Sequence, residues 1–188
     1  MKKDSILTTR KIVLTAMLAA MTVAGSAIRV TLPIDIAGTT SFHLGNILCA
    51  LSGLLLGPWL GGLAAGLGSA IYDMMNPLYI SECWITFLLK GAYGLTAGLI
   101  AWSGSKPWGY RKALFASLGG AAAYAMAYLA KSYFYNGLLI KGLTADAAML
   151  TVISKIPATV FNATIAVIFA PILGTAIRSA LERSHISL

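Results

Sequence analysis

Residues 42–73 read FHLGNILCALSGLLLGPWLGGLAAGLGSAIYD, two apolar runs parted only by Gly57-Pro58. Each run has the length and hydropathy of a membrane segment, and a Gly-Pro pair cannot carry a helix through unbroken. The pair therefore predicts two helices, 42–57 and 58–75, joined as a tight hairpin. Working outward, charged, Pro and Gly clusters cut the remaining sequence into four more apolar segments at about 11–30, 84–102, 113–136 and 148–177. The expected architecture is an all-α integral membrane protein, a single six-helix domain spanning residues 1–188.

Composition agrees with that count. The chain has 188 residues, 58% hydrophobic and 11% charged, with a mean hydropathy of +0.80. A soluble domain carries roughly 25% charged residues to cover its surface. This composition excludes a secreted enzyme, a DNA-binding domain and a disordered tail. The net charge of +8 is explained by orientation. Lys2, Lys3, Arg10, Lys11, Lys106, Arg111, Lys112, Arg178 and Arg183 fall on one face of the predicted bundle, and Arg29 and Lys141 on the other. By the positive-inside rule both termini are cytoplasmic. Residues 1–27 imitate a signal peptide, but removing them would leave five spans and upset the charge balance, so a retained first helix is expected.

Three basic residues remain inside the segments. Lys90, Lys131 and Lys155 each lie about five to seven residues from an outer helix end, roughly 8–12 Å deep at 1.5 Å per residue. A lysine at the bilayer centre costs ~2.5–3.5 kcal/mol on insertion scales, so three at one depth call for a reason. Each belongs to a polar stripe at helical spacing. Tyr124, Tyr128, Lys131 and Tyr135 mark the fifth segment, and Thr151, Lys155, Thr159 and Asn162 the sixth. The fourth offers Thr86, Lys90 and Tyr93, with Trp84 near its mouth. His43 and Asn46 form a further polar patch at the outer start of the second segment. These faces are expected to converge on a water-accessible cavity, with Asp73 or Glu82 as an ion-pair partner for Lys90. Snorkelling of Lys131, an interfacial place for Trp84 and Tyr135, and a purely interhelical hydrogen bond for Asn162 are the competing readings.

The pattern holds no Ser-His-Asp set, no HExxH and no glycine-rich phosphate loop, so neither catalysis nor ATP hydrolysis is expected. No cofactor is expected, and Cys49 and Cys83 have no metal spacing. Small residues recur every fourth position at Ala16, Ala20 and Ala24, at Gly62, Gly66 and Ala70, at Gly94 and Gly98, and at Gly119, Ala123 and Ala127. In lipid, such seams are where helices approach closely.

Phe42-His43-Leu44-Gly45-Asn46, Leu56-Gly57-Pro58-Trp59, Gly66-Leu67-Gly68-Ser69-Ala70-Ile71-Tyr72-Asp73 and Thr86-Phe87-Leu88-Leu89-Lys90-Gly91-Ala92-Tyr93-Gly94 together resemble the substrate-binding S component of an energy-coupling factor (ECF) vitamin transporter. The likeness is to the branch for hydroxymethylpyrimidine and vitamin B6 compounds. The resemblance implies a six-helix protein of the bacterial plasma membrane with a small-molecule site near the outer face. It implies a lid from loop 31–41, and contact of Ala16, Ala20 and Ala24 with a transmembrane T component that couples to two cytoplasmic ATPases. It also implies that the S component topples in the membrane to deliver its ligand.

The candidate ligand residues are His43, Asn46, Trp84, Lys90, Tyr93, Tyr128, Lys131, Tyr135 and Asn162. Their rings would stack on a flat heteroaromatic compound, and their polar groups would bind its hydroxyls, ring nitrogen or an anionic group. The alternative function is a solitary carrier for a small anionic vitamin such as pantothenate or niacin. An enzyme acting on anionic lipid headgroups lacks a nucleophile and base.

Overall fold

The computed structural model describes residues 8–32, 40–104 and 108–184. Helix α1 (Thr9–Ala27) leads into an antiparallel ribbon of β1 (Arg29–Leu32) and β2 (Thr40–His43). Helix α2 (Gly45–Met74) follows, then a 3-10 turn (Ile80–Glu82), α3 (Cys83–Ala101) and α4 (Tyr110–Lys131). A π-helical segment (Ser132–Ile140) extends α4, and α5 (Ala145–Arg183) closes the chain. Five of these stretches are long and apolar enough to cross a membrane: Thr9–Ala27, Gly45–Met74, Ile80–Ala101, Tyr110–Ile140 and Ala145–Arg183.

The count of five against six predicted segments turns on Gly57-Pro58. Most of segments 42–57 and 58–75 falls within α2, where Gly57 leaves helical geometry at φ 77, ψ −173. That left-handed φ suits glycine alone, and the chain folds back there. Cys49 Sγ lies 3.7 Å from Ser69 Oγ across the two legs. A Cβ on Gly61 would lie 2.5 Å from the Gly53 Cα, so the legs touch backbone to backbone. Pro58 has no N–H for the carbonyl four residues back, that of Leu54. The Trp102 indole at the end of α3 donates to this Leu54 oxygen at 2.9 Å.

Two further expectations are corrected. Within the all-helical bundle, residues 29–32, partly assigned to the first helix, instead pair with 40–43 as a short ribbon in the register Arg29↔His43 to Leu32↔Thr40. Helicity also continues to Ile140 where a loop from 137 was expected. The centre of the expected lid, with Asp35, lies outside the described residues, as do Lys2, Lys3 and Lys106.

The small-residue seams divide. Gly62 and Gly66 pack against Gly91 and Phe87 of α3, and Gly94 and Gly98 against Gly61 and Pro58. The α1 seam faces outward: Ala16, Ala20 and Ala24 are exposed, while Thr15, Leu18, Ala19 and Thr22 turn inward. Several buried hydroxyls on the helices are satisfied locally, although those of Tyr93 and Ser117 are not. Thr22, Ser52 and Thr159 each donate to the carbonyl four residues back, at 2.8 Å.

Because α2 doubles back, its two ends meet at one end of the bundle. The ribbon, the end of α4 and the start of α5 come to the same place. That end carries the polar groups.

Candidate functional site

A cavity of about 380 Å³ opens among these ends, within the range of roughly 300–1,000 Å³ usual for small-molecule sites. The ribbon contributes Arg29, Ser41 and His43, and the start of α2 contributes Asn46. Tyr72 and Asp73 come from the end of α2, Glu82 from the 3-10 turn, and Thr86 and Lys90 from α3. Tyr124, Tyr128 and Lys131 enter from α4, Asn136 from the π segment, and Lys155, Thr159 and Asn162 from α5.

The three lysines predicted at one depth line this one cavity, each in a different setting. Lys90 donates to Asn46 Oδ1 and stands 4.0 Å from the Tyr124 ring centroid. Lys131 is ion-paired with Glu82, whose second oxygen accepts from Asn136 Nδ2 at 2.5 Å. Lys155 lies 5.7 Å from the Tyr128 centroid. The expected pairing of Lys90 with Asp73 or Glu82 is replaced. Glu82 belongs to Lys131, and Asp73 is hydrogen-bonded to Thr86.

Asn162 works on the chain itself. Its Oδ1 accepts from the His43 N–H at 3.0 Å, and its Nδ2 donates to the Ser41 carbonyl at 2.8 Å. Both halves of the amide are thereby engaged in stapling β2 to α5. Arg29 completes the cover. Its guanidinium lies between the rings of Tyr72 and Tyr79, 4.6 and 4.7 Å from their centroids, and Ser41 Oγ lies 3.4 Å from Tyr79 Oη. His43 holds its imidazole neutral, with a pKa well below the usual 6.5. Burial is the main cause, and the positive charges of Lys90 and Arg29 add to it.

A family model described as ECF-type riboflavin transporter, S component, matches residues 6–179. The chain belongs to this S-component family. It is accordingly a multi-pass membrane protein of transport, not an enzyme. The S component is also similar to an uncharacterized protein encoded in the gap 3′ region of Pyrococcus woesei, 29% identical over 118 residues, which cover 63% of this chain and 74% of that one.

Six of the nine residues singled out in the sequence, His43, Asn46, Lys90, Tyr128, Lys131 and Asn162, line the S component's cavity. Three stand elsewhere. Tyr93 is fully buried one layer behind the wall, stacked on Tyr124 at 5.6 Å. Trp84 is 53% exposed and meets Tyr135 edge-on at 6.0 Å, an aromatic pair on the outer surface. The physical reason for Tyr135 is the π segment. There hydrogen bonds run from i to i+5, as from Lys141 N–H to the Asn136 carbonyl, so one turn beyond Lys131 comes Asn136 and not Tyr135.

Arg29, Tyr72, Tyr79 and Asn136 were missed. Arg29 reads in sequence as a topological charge just beyond a helix, and only ribbon pairing brings it back over the cavity. The tyrosines 72 and 79 share no helical spacing, because a turn separates them.

Proposed function

We propose that this protein is the substrate-binding subunit of an ECF-type importer. It takes a small polar heteroaromatic vitamin or precursor, pyridoxine-like or hydroxymethylpyrimidine-like, at the outer face and delivers it inward with a T component and two ATPases. The two legs of α2 count as separate crossings, making six, with both termini in the cytoplasm. The carrying observation is a cavity walled by charged, amide and tyrosine side chains at one end of an apolar bundle whose sequence holds no ATP-hydrolysing motif. His43, Asn46, Lys90 and Tyr128 are the proposed ligand contacts, with Lys131 and Asn162 holding the wall and cover around them.

The family model takes its description from riboflavin, and the lining favours a smaller ring. Aliphatic side chains on the wall, Leu78, Leu89, Ile140 and Ala158, are scattered over four segments. A methylated benzenoid ring would find little continuous apolar surface, whereas a single ring bearing hydroxymethyl groups would meet a hydrogen-bonding partner on most sides.

Calorimetry on the purified chain with pyridoxine, hydroxymethylpyrimidine and riboflavin tests the ligand. One of the first two is expected to bind at least 100-fold tighter than riboflavin, and the reverse order would overturn the assignment. Copurification of a membrane scaffold and ATPases is expected. Efficient ligand uptake by the chain alone in liposomes would point instead to a solitary carrier.

A further inference from the structure

Lys90 is 5% exposed in the middle of an apolar helix. Its ammonium offers three donors, of which one meets Asn46 Oδ1, while the Tyr124 ring lies 4.0 Å away. Neither neighbour carries a charge. The carboxylates lining the cavity among the described residues are Asp73 and Glu82. Glu82 is held by Lys131 and Asn136, and Asp73, hydrogen-bonded to Thr86, attracts Lys90 from a distance without an ion-pair contact among the described residues. Five lysine and arginine side chains line the same space against those two acids. His43 Nδ1, which has no hydrogen-bond partner, is packed against Gly45 and shut off from the cavity.

A buried ammonium with no carboxylate in contact is unfavourable, and it becomes less so when an anion arrives with good geometry. We infer that the ligand carries an ionised oxygen, and that this oxygen docks on Lys90 beside Asn46. The inference rests on the binding function proposed above and narrows it. A 3-hydroxypyridine ring carries a phenolic oxygen that ionises in its zwitterion, and a pyridine carboxylate carries one outright. Hydroxymethylpyrimidine and riboflavin have no such group at neutral pH.

The test uses the full-length protein in detergent and two matched pairs, pyridoxine with 3-deoxypyridoxine and nicotinate with nicotinamide. In at least one pair the member with the ionised oxygen is expected to bind 100-fold or more tighter than its neutral partner. Lys90→Met is expected to bring that ratio close to one. Without ligand, Lys90→Met is expected to raise the thermal midpoint, since an apolar side chain replaces an unbalanced ammonium. Equal binding within the pairs, a ratio that Lys90→Met leaves unchanged, or tight binding of hydroxymethylpyrimidine or riboflavin would overturn the inference. So would a lowered midpoint in both Lys90→Met and Lys90→Gln, which would make the ammonium a brace between Asn46 and Tyr124. If none of these compounds binds while both midpoints rise, the pyridoxine-like reading fails and the anion seat at Lys90 stands.

Discussion

Lys131 lies on the polar stripe that the sequence marks on α4, and its ammonium is engaged by Glu82. With side-chain exposures of 9% and 26%, this pair is shielded enough for its loss to register. Lys131→Met leaves the Glu82 carboxylate with Asn136 alone, and should cost about 1–3 kcal/mol of stability. Adding Glu82→Gln should restore most of that loss, because both formal charges are then gone. Thermal unfolding of the ligand-free single and double variants checks this; a double variant no more stable than the single would mean that the pair contributes nothing. Tyr135 and Asn136 show how far stripe reading reaches at this scale. A 3.6-residue period places Tyr135 beside Lys131, but the backbone changes to π geometry at Ser132 and brings Asn136 round instead. Nothing in SYFYNGLLI announces that change, because it is settled by packing such as that of Gly137 against Ala148.

At the scale of elements, the hairpin in α2 was legible because a Gly-Pro pair has a local and strong effect on the backbone. The partner of the carbonyl it frees was not legible, since Trp102 is 48 residues from Leu54. Trp102→Phe keeps an aromatic side chain but removes the indole donor, stranding an acceptor on a fully buried residue. The expected loss is about 1–3 kcal/mol, read as a lowered unfolding midpoint. Trp59→Phe, at a side chain 76% exposed beside the same turn, should change it little. Equal effects of the two substitutions would show that the indole hydrogen bond is immaterial. The ribbon was hidden for a related reason. Its strands are four residues long, too short for alternation to stand out beside a hydrophobic helix, and their pairing is fixed by contacts with α5 and residues 72–79.

For the whole molecule, the α1 seam stays uncovered among the described residues while the seams of α2 and α3 close on each other. In lipid such a stripe of alanines is a surface on which another helix packs closely, and we propose it as the docking face for the T component. Ala16→Trp or Ala20→Trp should abolish uptake by the assembled transporter and leave ligand affinity within twofold. Lost affinity in the purified chain would instead make the stripe part of the S component's own packing.

The membrane class, the helical segments, the reversal at Gly57-Pro58 and the convergence of the lysine stripes were all determined by the sequence itself. Each depends on hydropathy or on spacing within a single segment. Only the tertiary structure decided which lysine has a carboxylate, that Asn162 staples the ribbon, that Arg29 covers the cavity, and that Tyr93, Trp84 and Tyr135 stand off it. Those outcomes depend on atoms brought together from segments dozens of residues apart, where no local period carries information.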